Sequence, residues 1–582
     1  VNNINVPTTG VLTGLDMAES VNAAIASLQE NIGGVLTKSV AGGANVTLTT
    51  DEFNNGTIKL TGAITANISL IMPASTMAWT IVNGTTGAFT VTVKTSLGTG
   101  VVVPQGEIMA LYGDGANIYA GSSGVGSVKY SAAQSLLDTE KQQARDNMGL
   151  GTAATYPASA FIATTTVNDI GVAGQAGFGV GICPTPPAGV SGVYGYKDTL
   201  SDSYGNYQYL DGSQMVWIPA FFYKWGNGTN GLAVNVVSIK PRSAYTTVAL
   251  ANADGYALHR AFYDGGEKEG FFIDKYIGSS NNRIFSSIKY GIPCDTDGSQ
   301  SGIASLLGVG TNNYGYVQQA AKQRGVLFNG AAFHSASIFM FKALAMLAQA
   351  HAQASSSVLN CAWYDATYNF PKGCNNNALG DTNDGSVVFQ TAGHPTYSAK
   401  PKTGSASIFA RTTHNGQNSG VADINGAMWE VAFGMTSDGS NYYVLKTSKR
   451  MRDLTGNDAT SATSFFGANG IATNYDLVGS TYGGMTASSS QKLMGSVSQV
   501  FDPATSGIAW AMTGAGIPIA TGTGGTNAFG SDGFWDYRPN EMCPIVGAGW
   551  LNAGGAGPWA VALNVVRSTA AADVVGRAAL YL

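Results

Sequence analysis

The sequence predicts a mainly β chain that ends in an α+β C-terminal domain. Three observations predict it. Residues 35 to 122 alternate apolar and polar side chains, the period of two that a half-buried strand requires. Only 11% of the 582 residues are charged and 77 are Gly, against about 25% and about 7% in average soluble domains. That composition suits short strands and tight turns. One sustained apolar run, Ile338 to Ala350, breaks the strand-rich pattern and supplies a helix.

The segment 1–34 carries a helix over residues 13 to 34. Asp16 with Glu19 three residues on makes a capping-box-like start, and Gly33-Gly34 ends it. Val21, Ile25, Leu28 and Ile32 recur at spacings of four, three and four, the seam of a short coiled coil. The alternative is an amphipathic helix that packs on its own domain. Segment 35–122 is a β-domain, a sandwich or barrel. Its strands include Asn45 to Thr49, Thr57 to Thr61 and Phe89 to Val93, and Asn83-Gly84-Thr85-Thr86-Gly87 reads as a hairpin loop.

Segment 123–174 is a linker and short helical connector. Gly121 to Gly126 is flexible in composition. A helix follows from Thr139 to Met148, with Asp138 as N-cap and Gly149 just beyond its end. Segment 175–582 is the C-terminal domain. Its apolar run is interrupted by Lys342 and falls short of the roughly 18 residues of a membrane span, so it reads as a buried helix without membrane insertion. The stretches 225–255, 278–312 and 360–410 are rich in Gly, Asn, Ser and Thr and read as surface loops.

The chemistry is sparse. Cys183, Cys294, Cys361, Cys374 and Cys543 are scattered, odd in number and without a CxxC pair, which points to reduced thiols and no zinc site. The histidines lack metal spacing, and His394 and His414 lie in loop sequence and read as solvated. Asp381 and Asp384 read as a turn, with a loop cation site as the alternative. Net charge is −5 with no basic run, which argues against nucleic acid. The first residues show neither a charged nor an apolar leader pattern.

The C-terminal domain is organised around Asp423-Ile424-Asn425-Gly426-Ala427-Met428-Trp429-Glu430-Val431. Here a turn signal meets a large apolar anchor and one carboxylate among apolar neighbours. Glu is almost never buried unless paired, so Glu430 needs backbone N–H donors or a cation. This stretch resembles the Asn-Gly-Asn-x-Trp-Glu-Trp signature of the formylglycine-generating-enzyme-like branch of the C-type-lectin fold. Met215-Val216-Trp217-Ile218-Pro219 and Gly270 to Tyr276 are similar to that family's opening strands. Gly547 to Asn552 is similar to its Arg-Gly-Gly-Ser-Trp strand, and Gly576 to Tyr581 to its closing strand. Leu36-Thr37-Lys38-Ser39-Val40 through Trp79 to Asn83 resembles a β-domain of bacteriophage tail fibres. Leu136 to Ala154 resembles a fibre connector.

These resemblances imply a tail-fibre receptor-binding protein of the virion, an elongated homotrimer assembled in the host cytoplasm. Its N-terminal region would meet tail or baseplate proteins, and its lectin-like tip a host-surface glycan or protein. They imply a receptor face on the stretch from Trp550 to Arg567, with Trp550, Asn552, Trp559, Asn564 and Arg567 as contacts. Trp550 stands equally as core, whereas Trp559, after Pro558, reads as exposed. They also imply a structural Ca2+ held by the Asp423 and Glu430 side chains and the Gly426 and Met428 carbonyls, with backbone N–H groups the alternative partners of Glu430. No enzyme is expected, because the oxidase branch of the family needs a close cysteine pair and Cys543 has no near neighbour in sequence. The alternatives are a glycan-cleaving tailspike, a formylglycine-type oxidase, and a bacterial surface adhesin or retroelement target.

Overall fold

The computed structural model describes residues 18–23, 25, 34–121 and most of 167–582, apart from 298–301, 310–312, 329, 365–387, 391–399, 455–467, 496–497, 523–528, 530 and 551. The chain divides into two compact units, Val1–Ala154 and Thr155–Leu582. Leu28, Ile32, the helix from Thr139 to Met148, Cys374, Asp381, Asp384 and His394 lie outside the described residues. Within the N-terminal seam, Val21 and Ile25 are helical and exposed.

In the N-terminal unit the chain winds as a coil between two sheets. One sheet takes Val35–Ser39, Thr57–Ala63 and Ala78–Thr86 in parallel, then adds Ile108–Gly113 and Ile118–Ala120 antiparallel. The other takes Val46–Thr47, Ile68–Met72 and Val91–Thr95 in parallel and closes with Gly100–Val103. Val35 pairs with Thr57 and Thr57 with Thr80, steps of 22 and 23 residues. Inward positions such as Ile58, Leu60, Leu70, Ile81, Val91 and Val93 fill one core.

Asn45 Oδ1 accepts from Ser69 N–H at 2.7 Å and Asn67 Oδ1 from Thr90 N–H at 3.0 Å, so each coil bonds the next at an equivalent corner. The predicted strands are present, but the hairpin is not. Asn83 to Thr86 continue the strand Ala78–Thr86, and the strand after them lies in the other sheet. Alternation reports a half-buried strand whatever its partner, so it could not separate a hairpin from a coil.

In the C-terminal unit two six-stranded sheets share a large core. The first is ordered Ser191–Gly192, Asn206–Gln208, Gln214–Pro219, Gly270–Asp274, Ala578–Tyr581, His334–Ser335, all antiparallel. The second is ordered Lys492–Leu493, Gly533–Trp535, Val561–Ala562, Ile545–Val546, Trp429–Val431, Val574–Val575. The helix Ile338–Ala354 is capped by Ser337 and buried from Ile338 to Ala352. A helix apolar all round belongs inside a large core. Lys342 on it reaches the Pro558 and Ala560 carbonyls at 3.0 Å each. Among the described residues no helix is long and apolar enough to cross a membrane.

The core takes in Ile170, upstream of residue 175. The stretch 278–312 is not a plain surface loop. It forms the hairpin Ser279–Asn281 with Ile284–Ser286 and buries Cys294, Asp295, Thr296 and Ile303. The stretch 225–255 likewise contains the strand Val237–Pro241 and the helix Val248–Ala253. His414 is buried rather than solvated. Its Nε2 lies 2.9 Å from Gly179 O, and its Nδ1 accepts from Val421 N–H at 3.0 Å. A polar loop sequence does not show that another segment will cover it.

Candidate functional site

Glu430 sits on the strand Trp429–Val431, buried with its neighbours. Its partner is Arg577, just before the closing strand. Nε donates to Oε2 at 2.7 Å and Nη2 to Oε1 at 2.8 Å. Nη1 donates to the Asp274 and Lys275 carbonyls at 3.1 and 2.9 Å, and Nη2 to the Ala422 carbonyl at 2.6 Å. All five guanidinium donors are thereby used. Burial raises the Glu430 carboxyl above its ordinary range, and the Arg577 charge opposes that rise.

The next link is Asp274. Its oxygens accept from Arg324 Nη1 and Nη2 at 2.8 Å each, and Oδ2 also from Ala578 N–H at 3.2 Å. Lys275 donates to Asn206 Oδ1 at 2.5 Å and to the Asn418 carbonyl at 2.6 Å. Burial lowers Lys275 to about 7. One buried polar network therefore ties three segments far apart in sequence: the strand Gly270–Asp274, the strand Trp429–Val431 and the approach to Ala578–Tyr581.

The four residues expected to cage Ca2+ do not fit that role. Both Glu430 oxygens face a guanidinium, and a divalent cation beside them would sit against that positive charge. Asp423 Oδ2 instead accepts from Gly404 N–H at 2.7 Å. Asp423 adopts φ 59°, a left-handed conformation that Asp tolerates, and Gly426 adopts φ 118°. Met428 packs with Ile277, Phe389, Ala427, Trp550 and Val575 in a small apolar cluster. Among the described residues no group of three or more His, Cys, Asp or Glu is placed to hold a metal ion.

The stretch from Trp550 to Arg567 is mostly interior. Trp550 is core, in the cluster with Met428. The expectation that Trp559 is exposed is corrected: it is fully buried, with ring centroids 4.7 Å from Phe501, 5.9 Å from Phe529 and 6.0 Å from Trp225. Its N–H donates to Asp532 Oδ2 at 2.9 Å. The preceding Pro558 marks a turn, but the turn leads inward. Arg567 is also buried, and it grips Glu541 with Nε and Nη2 at 3.2 and 3.1 Å. Asn552 is half-buried and accepts from Gly549 N–H at 2.9 Å. Asn564 is exposed.

An aromatic near this stretch that does reach the surface is Trp535. It is half-buried on the strand Gly533–Trp535, next to buried Phe534. Its ring stands edge-on to Trp429 at 5.6 Å. It lies over Gly533 and Gly555, where a Cβ would come 2.5 Å and 3.9 Å from the indole Cη2, and exposed Gln491 crosses the same two glycines. Trp535 O accepts from Leu563 N–H at 2.7 Å, which sets Asn564 one residue further along. The sequence reading missed Trp535. The alternation Phe534-in, Trp535-out was the available signal.

No family model matches the sequence, and no curated protein matches it. Among solved structures, the comparison gives a chain named Major Tropism Determinant U1 Variant, with 10% identity, 63% of each chain covered and a TM-score of 0.22. The match therefore spans less than two thirds of that chain, and at that score it does not establish a shared fold.

Proposed function

We propose that this protein is a receptor-binding protein of a bacteriophage tail fibre, which adheres to the bacterial surface without catalysis. It works as a homotrimer, with its N-terminal region joined to the tail and its lectin-like C-terminal unit presented to the host. The reading rests on the sequence motifs of fibre and lectin-like type, and on one observation in the structure. Trp535 stands half-buried at the surface on a glycine platform beside Gln491, with exposed Asn564 two residues beyond its strand partner Ala562, on a frame fixed by buried ion pairs. An aromatic face among amide groups suits weak, polar recognition, and several tips engaging together multiply it.

The test is adsorption of the intact protein to host cells. Trp535→Ala should lower affinity at least about 30-fold per site, the loss of one hot-spot anchor, while the protein stays folded with its melting temperature lowered by the packing lost on Trp429. Unaltered adsorption would overturn this placing of the receptor face. In the trimer, Val21 and Ile25, 51% and 48% exposed in the single chain, would be covered. A monomer mass by light scattering would overturn the assembly.

A further inference from the structure

A second feature lies at one end of the first sheet, away from the residues assigned above. A cavity of about 190 Å³ is lined by Asp264, Lys268, His334, Arg450, Arg452 and Tyr581, together with Ala332 and Leu582. It sits where the strand Gly270–Asp274 begins, Ala578–Tyr581 ends and His334–Ser335 begins. The turn Met451–Asp453 closes over it. Three cations line it beside the Asp264 carboxylate; Lys268 donates to the Leu582 carbonyl at 2.9 Å, and the Asp453 carboxylate lies 3.9 Å from Arg452. Asp264 is already engaged: its Oδ1 accepts from Met451 N–H at 2.6 Å, and the buried Arg260 lies behind it. Arg450 bonds Asp453 at 2.7 Å, but that pair is half-exposed and costs little to exchange.

The walls are built rather than incidental. Gly265 N–H donates to the Thr447 and Lys449 carbonyls at 3.1 Å each. Gly265 adopts φ 72°, and a Cβ there would come 2.6 Å from Arg450 Cγ. The arginine stem thus lies directly on the glycine. His334 is buried and stacks on Tyr581 at 5.4 Å. Its Nδ1 lies 2.8 Å from the Ser335 carbonyl, so Nδ1 carries the proton and Nε2 is left as an acceptor. Nε2 is buried with no partner among the described residues. The cavity thus offers positive charge at its mouth, and one of its lining residues, His334, keeps an unpartnered lone pair. Sulfate, an anion with no proton to donate, uses only the first. A polyol bearing an acidic group uses both, a hydroxyl donating to His334 Nε2 and the oxyanion meeting Lys268, Arg450 and Arg452.

We propose that this cavity is a second binding site, which takes a single acidic sugar unit, carboxylated or phosphorylated. Its volume is below the roughly 300–1,000 Å³ of drug-sized clefts, so it accepts one headgroup and not a chain. Its biological use as a receptor contact rests on the attachment reading, but its binding chemistry does not.

The experiment is titration calorimetry of the intact protein with methyl glucuronide, glucose 1-phosphate, methyl glucoside and sodium sulfate, at low and high NaCl. Saturable, salt-weakened binding of either acidic sugar, tighter than sulfate and absent for the neutral glucoside, is expected. Which acidic sugar binds identifies the carboxylate or the phosphate as the natural group. Arg452→Gln and Lys268→Gln should each weaken binding about tenfold or more without moving the melting temperature. The proposal is overturned by no binding, by equal binding of the neutral glucoside, or by affinity unchanged in both variants. If no acidic sugar binds while adsorption still depends on Trp535, the attachment reading stands and only this site falls.

Discussion

In the N-terminal unit, each parallel strand takes its register from the strand one coil earlier, and its described core holds no charged residue. Among its described residues the buried polar groups are Asn83, Thr85 and Thr95, and the ion pair of Lys38 with Glu52 is partly exposed. In the C-terminal unit, the strand Gly270–Asp274 pairs with Ala578–Tyr581 at the far end of the sequence, and many strands are two or three residues long. There the buried side chains include Arg324 on Asp274 and Arg577 on Glu430. Repetition can specify register through backbone bonds alone. Short strands from distant segments gain less from the ladder, and directional side-chain bonds supply the missing specification. Buried ion pairs contribute little net stability, but removing one partner is costly. The C-terminal unit is therefore the one that a single polar substitution should break.

The largest effect expected is that of Arg577→Ala. It leaves Glu430 buried without its counter-charge and strips donors from three carbonyls, a loss of about 3–5 kcal/mol. Arg577→Lys should not restore it, because an ammonium lacks the planar fork. Native-state hydrogen exchange reads the two units separately. Protection at Phe271 to Ile273 should fall while protection at Ile58 to Leu60 holds. Equal protection at both places in the variant would remove the distinction between the units. Lys38→Ala, its counterpart in the coil, should change stability by about 1 kcal/mol or less.

A middle-sized effect is expected from pH. His414 is buried by the Gly179 segment, and desolvation lowers it to about 4, against about 6.5 in an unfolded chain. Between those values the unfolded chain binds a proton that the folded chain does not. Stability therefore falls as pH drops from about 6.5 towards 4, by on the order of 3 kcal/mol from this one group. Urea unfolding between pH 7 and 4.5 measures it. His414→Gln should lessen that part of the slope, and buried His259, lowered to about 3, supplies part of what remains. An unchanged slope would mean that the imidazole reaches water.

The same contrast decides what could be read from the sequence. Alternation found the coil's strands, because burial on one face is a local property. It did not find their parallel pairing, because the partner lies a full coil away. In the C-terminal unit the apolar helix at Ile338 was legible from its own composition, and the strands at Met215, Phe271 and Leu580 only through their resemblance to lectin-like motifs, since they are buried on both faces and do not alternate. The need of Glu430 for a partner was legible too. That the partner is Arg577 was not, since nothing local to either residue names the other. Trp559 and Arg567 were misjudged because a Gly-rich loop with polar residues looks exposed until Phe501, Trp225 and Glu541 are seen to close on it. Trp535 was overlooked although its alternation with Phe534 was visible.

The smallest effect, none at all, is expected from calcium. Asp423 and Glu430 are the two carboxylates that a cation at the organising stretch would need, and calcium wants six to eight oxygen ligands. Glu430 has both oxygens on Arg577, and Asp423 closes the turn at Gly404. A protein that bound calcium only when folded would gain about 2.7 kcal/mol at a hundredfold excess over Kd, and a gain of that size moves a melting temperature by several degrees. EDTA and millimolar Ca2+ should therefore give the same melting temperature to within about 1 °C. Glu430→Gln sharpens the test. If Arg577 is the partner, the variant is destabilised equally with and without Ca2+. If a cation shares the carboxylate, Ca2+ stabilises the wild type and the gain disappears in the variant, and the guanidinium would then have to yield its place in the C-terminal frame.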